Sequence, residues 1–138
     1  MAQKPYPFIA RGNQRFVVLR SKTFNIDNGS GTTDDDVLFS DFDVAAYVMH
    51  VRAVYLEATD TSGVASANFK LGTAAGGTQV VAATALEVSK AVGSATEASL
   101  VSGGERIQAG GALFVRHTGV AATEAGQYYV QALVMLQP

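Results

Sequence analysis

The sequence predicts an all-β fold of antiparallel strands, a sandwich or a barrel, and three observations predict it. Short segments rich in Val, Ala, Phe and Tyr recur along the chain. Clusters of Gly, Thr, Ser, Asn and Asp separate them every 8–15 residues or so, the punctuation of an antiparallel meander. No long window carries an apolar stripe with the 3.6-residue helical period.

Taken in order, Arg15-Phe16-Val17-Val18-Leu19-Arg20 is the first strand expected. Asp27 to Asp36 has turn and loop chemistry, because Gly supplies positive φ and Asn and Asp bond back to their own backbone. Tyr47 to Glu57 is β-branched and aromatic on both faces, which suits a central strand covered on both sides. Ser66–Leu71 turns Ala67, Phe69 and Leu71 inward. Gln79–Ala82 and the cleanly alternating Leu86–Val92 follow, then short segments at 98–102 and 105–108. Ala112–His117 and Gln127–Leu136 close the series. Ala82–Ala98 is Ala-rich enough to suggest a helix, but its Thr and Val content and two-residue alternation favour strands.

The 138 residues suffice for one domain that needs no staple, and the chain has no cysteine to make one. With 48% hydrophobic and 16% charged residues it is too apolar for wholesale disorder. A net charge of −2 gives no global drive toward nucleic acid. There is no uninterrupted apolar run of about 18 residues to cross a membrane as a helix, and no apolar leader is visible at the N-terminus.

Charge is unevenly distributed. Residues 1–26 carry Lys4, Arg11, Arg15, Arg20 and Lys22 and no acid. Residues 27–43 carry six aspartates and no base. This places a boundary at residue 36: an extended N-terminal arm over 1–36, and a β-sandwich domain over 37–138. Deleting residues 1–20 is then expected to leave the sandwich folded.

Motifs with chemical potential are few. Gly72–Thr78 resembles a phosphate-binding loop but lacks the Lys that would reach a phosphate, and a strand follows it, so it reads as a hairpin loop. Asp60-Thr61-Ser62-Gly63 has one residue too many for an aspartic protease motif. Asp34-Asp35-Asp36 with Asp27 could offer oxygen ligands to a cation, but EF-hand spacing is absent; a solvated acidic loop, or a patch that meets the basic arm of a neighbouring copy, are the other readings. His50 and His117 each lie on an expected strand, with no carboxylate spaced to orient either as a base. No serine occupies a Gly-x-Ser-x-Gly elbow. Neither a catalytic residue, a metal site nor a cofactor is indicated. The basic arm, interleaved with Tyr6, Phe8 and Phe16, could hold a single-stranded nucleic acid, yet it fits equally well over an acidic protein surface.

Four phrases carry a resemblance: Phe69 to Gly77, Val80 to Thr84, Ile107 to Val115, and Ala125-Gly126-Gln127-Tyr128-Tyr129-Val130. Over residues 45–137 the chain resembles small jelly-roll structural proteins of tailed bacteriophages: capsid decoration (cement) proteins and head or tail modules. The resemblance implies a jelly-roll-like sandwich and a non-enzymatic virion component. It implies a capsid-exterior location after synthesis in the bacterial cytoplasm, with the major capsid protein and further copies of the chain, commonly in trimers, as partners. The arm would be the clamp, with Phe8, Ile9, Phe16 and Val18 as apolar anchors and Arg11, Arg15 and Arg20 pairing to carboxylates. The alternative is a receptor- or carbohydrate-binding module of a tail or head fibre, although the chain has no Trp to stack on a sugar.

Overall fold

The computed structural model describes residues 15–59, 64–101, 106–121 and 125–137. Ten strands run through them: β1 (Arg15–Arg20), β2 (Phe24–Asn25), β3 (Thr33–Phe39), β4 (Ala45–Tyr55), β5 (Asn68–Gly72), β6 (Val81–Ala85), β7 (Ala95–Ala98), β8 (Arg106–Ile107), β9 (Leu113–Thr118) and β10 (Gln127–Gln137). One 3₁₀ turn, Val64–Ser66, precedes β5.

The strands form two antiparallel sheets. One has the order β1–β10–β4–β7, with β2 also beside β10 and β8 also beside β4; the other has the order β3–β9–β5–β6. The chain crosses from one sheet to the other at β2→β3, β3→β4, β4→β5, β6→β7, β8→β9 and β9→β10. Taking β1 with β2 and β7 with β8 leaves eight strand positions wound as a jelly roll.

The core lies between the sheets and is made by period-two alternation. Leu113, Val115 and His117 of β9 point inward, as do Tyr128, Val130, Ala132 and Val134 of β10. In β4 the alternation breaks once. Leu133 of β10 faces His50, but Val134 faces Val48, so Met49 is an extra residue. This bulge lets Ala46 and Val48 reach the same core as Val51, Ala53 and Tyr55.

Residues 15–36 do not form an arm apart from the sandwich. β1 pairs along its full length with the last strand, from Arg15 opposite Leu136 to Arg20 opposite Gln131. Val17 and Leu19 pack against the core, and Phe24 and Ile26 are wholly buried in it. Ser21 is locked to Val130 by two backbone-directed hydrogen bonds, its amide donating to the carbonyl at 2.9 Å and its hydroxyl accepting from the amide at 2.8 Å. The division at residue 36 therefore fails within the described residues, because alternate positions of a charged, turn-rich segment supply core side chains. Residues 1–14 lie outside the described residues.

Leu86–Val92 forms no strand. Its alternation is real, but other groups claim its backbone. The Glu87 amide donates to Tyr55 Oη at 3.0 Å, the Lys90 amide donates to Thr59 Oγ1 at 2.7 Å, and the Gly93 amide donates to the Tyr55 carbonyl at 2.8 Å. By contrast, Gly72–Thr78 opens the connection from β5 to β6, as a hairpin loop should. A Cβ on Gly72 would sit 2.5 Å from the backbone of Gly77, so this loop closes only around glycine.

Candidate functional site

The outer face of the six-stranded sheet is the most distinctive surface. Antiparallel register sets side chains in rows across it. One row runs Phe16, Met135, Tyr47, Arg106 from β1 to β8. The next runs Val18, Leu133, His50. The third runs Arg20, Gln131, Arg52, Glu97. The bulge adds Met49. Phe16 is 53% exposed, Val18 57% and Met49 49%, so the centre of the face is apolar and open to solvent. A recess of about 250 Å³ lies between the second and third rows, walled by Val18, Leu133 and His50 on one side and by Arg52 and Gln131 on the other.

Three arginines flank that apolar centre. Arg20 stacks on the Tyr129 ring at 3.7 Å. Arg52 Nε donates to Gln131 Oε1 at 3.2 Å, and Arg106 Nε donates to Tyr47 Oη at 3.2 Å. Among the described residues none of the three makes an ion pair with a carboxylate. Glu97, the carboxylate of the third row, is instead engaged by His50.

Two cations near the opposite sheet, Arg116 and Lys22, are held by carboxylates, while Lys70 of β5 makes no ion pair among the described residues. Arg116 holds Asp35 with two parallel hydrogen bonds of 2.7 and 2.8 Å. Those bonds hold the Asp35 carboxyl below its ordinary range. Lys22 donates from Nζ to Asp34 at 2.7 Å and from its amide to Asp36 at 2.7 Å. The hydrogen bond to Asp34 raises the Lys22 ammonium, with the neighbouring aspartates reinforcing it. The basic and acidic stretches of the first third thus neutralise each other in part within one chain. Asp34, Asp35 and Asp36 belong to β3 rather than to a loop.

Of the anchors expected on the arm, Arg15, Phe16, Val18 and Arg20 are on β1, the edge strand of the large sheet. Phe16, Val18 and Arg20 share its outer face. Phe8, Ile9 and Arg11 lie outside the described residues.

The two histidines are kept apart, on different sheets. His50 meets Glu97 on the open face, a pair the sequence did not suggest because the two residues are brought together only by strand pairing. Among the described residues, the recess beside it is lined by no serine or threonine. His117 is fully buried, its Nδ1 2.6 Å from Tyr128 Oη and its ring stacked on Phe24 at 5.6 Å. Burial pushes its pKa down to about 4, against the weaker opposing pull of Asp34 and the Asn25 carbonyl. A wider groove of about 650 Å³ opens at one end of the sandwich, lined in part by Asn25, Asp27, Glu57, Val92 and Gln127. Among the described residues no three His, Cys, Asp or Glu side chains are grouped to hold a metal ion.

No protein-family model and no curated protein matches this chain. Among solved structures, a chain of the "Cyanophage Pam1 capsid asymmetric unit" is similar. It superposes with a TM-score of 0.63 at 18% sequence identity, covering 100% of this chain and 93% of that one. At that identity the likeness shows a shared fold along nearly the whole length of both chains.

Proposed function

We propose that this chain is a structural protein of a bacteriophage virion: a capsid decoration (cement) protein that binds the outside of the shell and stabilises it by protein–protein contacts, without a catalytic role. Its partners are the major capsid protein and other copies of the chain. The observation that carries the reading is the end-to-end jelly-roll likeness to a chain of a phage capsid asymmetric unit. Two properties of the molecule support it. The open apolar face suits repeated association with a large assembly, where many modest contacts add to firm attachment. The edge strand β1 presents Phe16, Val18 and Arg20, with Arg15 at its start, and continues the segment that carries Phe8, Ile9 and Arg11; these seven residues form the proposed interface.

Quantitative mass spectrometry of gradient-purified particles tests this. The chain is expected at a fixed ratio to the major capsid protein. Heads lacking it are expected to assemble and to rupture at a lower temperature. A chain found only in the soluble fraction of infected cells would overturn the assignment.

A further inference from the structure

We infer that the outer face of the six-stranded sheet is the docking face, and that the surface it fits is acidic: an apolar centre with carboxylates around it, on a protein. The inference rests on the virion reading and deepens it by naming the face and the chemistry of its complement.

Charge carries the argument. The chain as a whole is at −2, yet among the described residues none of Arg20, Arg52 and Arg106 on this face makes an ion pair, the one neighbouring carboxylate, Glu97, being engaged by His50. On the opposite sheet Arg116 is engaged by an aspartate, and Lys22 at the sandwich edge likewise. The unmatched charges also have a useful layout. Arg106 ends the first row and Arg20 and Arg52 stand in the third, so they lie on either side of the apolar middle. An apolar middle with a charged rim is the anatomy of a protein interface. In the recess, Arg52 spends only Nε on Gln131, leaving its terminal nitrogens to hold an incoming carboxylate while Val18 and Leu133 cover that side chain's apolar stem. Nucleic acid fits less well: the rings of Phe16 and Tyr47 stand in the first row only, the recess is walled by aliphatic Val18 and Leu133, and Glu97 would face the phosphates.

The test is co-sedimentation of the full chain with heads of its own phage prepared without it, at two salt concentrations. Four proteins are compared: wild type, Val18→Lys, Arg52→Glu and, on the other sheet, Val37→Lys. All three altered side chains point outward, and circular dichroism checks that each variant folds. Wild type and Val37→Lys are expected to bind alike and to weaken as salt rises. Val18→Lys and Arg52→Glu are expected to bind at least tenfold more weakly. Wild-type binding by both face variants would overturn the docking face and leave the virion reading intact. Failure of wild type to bind heads, or retention on a 20-nucleotide single strand that Arg52→Glu abolishes, would overturn both.

Discussion

At position 117 the fold places an imidazole where no solvent reaches it. The ring is enclosed by Phe24 and Tyr128, with Asp34 of β3 and Phe69 of β5 opposite it in register. An imidazolium there would need an acceptor at each nitrogen, and Nε2 has no hydrogen-bond partner. Burial therefore holds the folded-state pKa near 4, below the ordinary 6.5. Above pH 6.5 the ring is neutral in both states and contributes no pH dependence. As pH falls from 6.5 toward 4, the unfolded chain takes up a proton that the folded chain refuses, and stability drops, by about 3 kcal/mol at most. Asp35 acts in a lower window. Its depressed pKa adds stability above its ordinary value of 3.8 and loses it below. Urea melts at pH 7 and pH 4.5 are expected to show the His117 loss in wild type and much less of it in His117→Gln. Parallel pH profiles would refute the assignment; should His117→Gln not fold, the His117 ring resonances in wild type, shifting near pH 4 rather than 6.5, give the same answer. A second residue-level device sits nearby. The Glu87 amide can only donate and its ionised carboxylate can only accept. That sets the direction of the circuit from the Glu87 amide to Tyr55, from Tyr55 to Thr96 at 2.5 Å, and from Thr96 back to the Glu87 carboxylate at 2.6 Å. Nothing in the spacing of residues 55, 87 and 96 announces it, because it exists only when three separate segments meet.

Among the elements, β1 belongs both to the fold, through its pairing with β10, and to the proposed docking face. Residues 15–20 were legible as a strand, residue for residue, because apolar side chains fill the middle of the segment between two arginines. Its membership of the sheet was not legible. The surplus of positive charge and the glycine-rich run after it suggested a detached arm, while the buried Phe24 and Ile26 were too few and too closely flanked by polar residues to show a pattern. The same masking hid β3, whose Asp34, Asp35 and Asp36 are tolerated in a strand because Lys22 and Arg116 meet them. Conversely, Leu86–Val92 alternates like a strand and is held as a loop by Tyr55 and Thr59, which no local pattern reports. The β4 bulge at Met49 was equally silent, since both phases of that segment are apolar. The long β10 and the clean alternation of β9 were read correctly because one face of each is solidly buried. Two truncations follow. The chain without residues 1–14 serves as the reference. Removal of 1–20 strips β1 from β10, uncovers Val134 and Leu136, and is expected to cost roughly 2–4 kcal/mol from the lost burial of Val17 and Leu19 and the neighbours they cover. Equal stability of the two truncations, by urea denaturation, would show that β1 is not part of the cooperative unit.

For the whole molecule, the jelly roll explains why function was harder to read than fold. Strand periodicity shows which residues face inward, but not which outward rows become neighbours. Phe16, Met135, Tyr47 and Arg106 are scattered across the sequence and stand in one line only because β1, β10, β4 and β8 pair side by side. That assembly gives the chain two unlike faces: one with three arginines outside any ion pair among the described residues, the other with the Arg116–Asp35 pair, although Val37 and Phe39 are exposed on β3 too. The proposed docking needs such a difference, since one side would meet the shell and the other water. Cryo-electron microscopy of heads with the chain present, compared with heads from which its gene has been deleted, measures this directly. The difference map is expected to hold a jelly-roll density on the outer surface, with β1, β10 and β4 turned toward the shell and β3 and β9 toward solvent. Identical maps, or a jelly roll seated by its β3–β9 face, would contradict it.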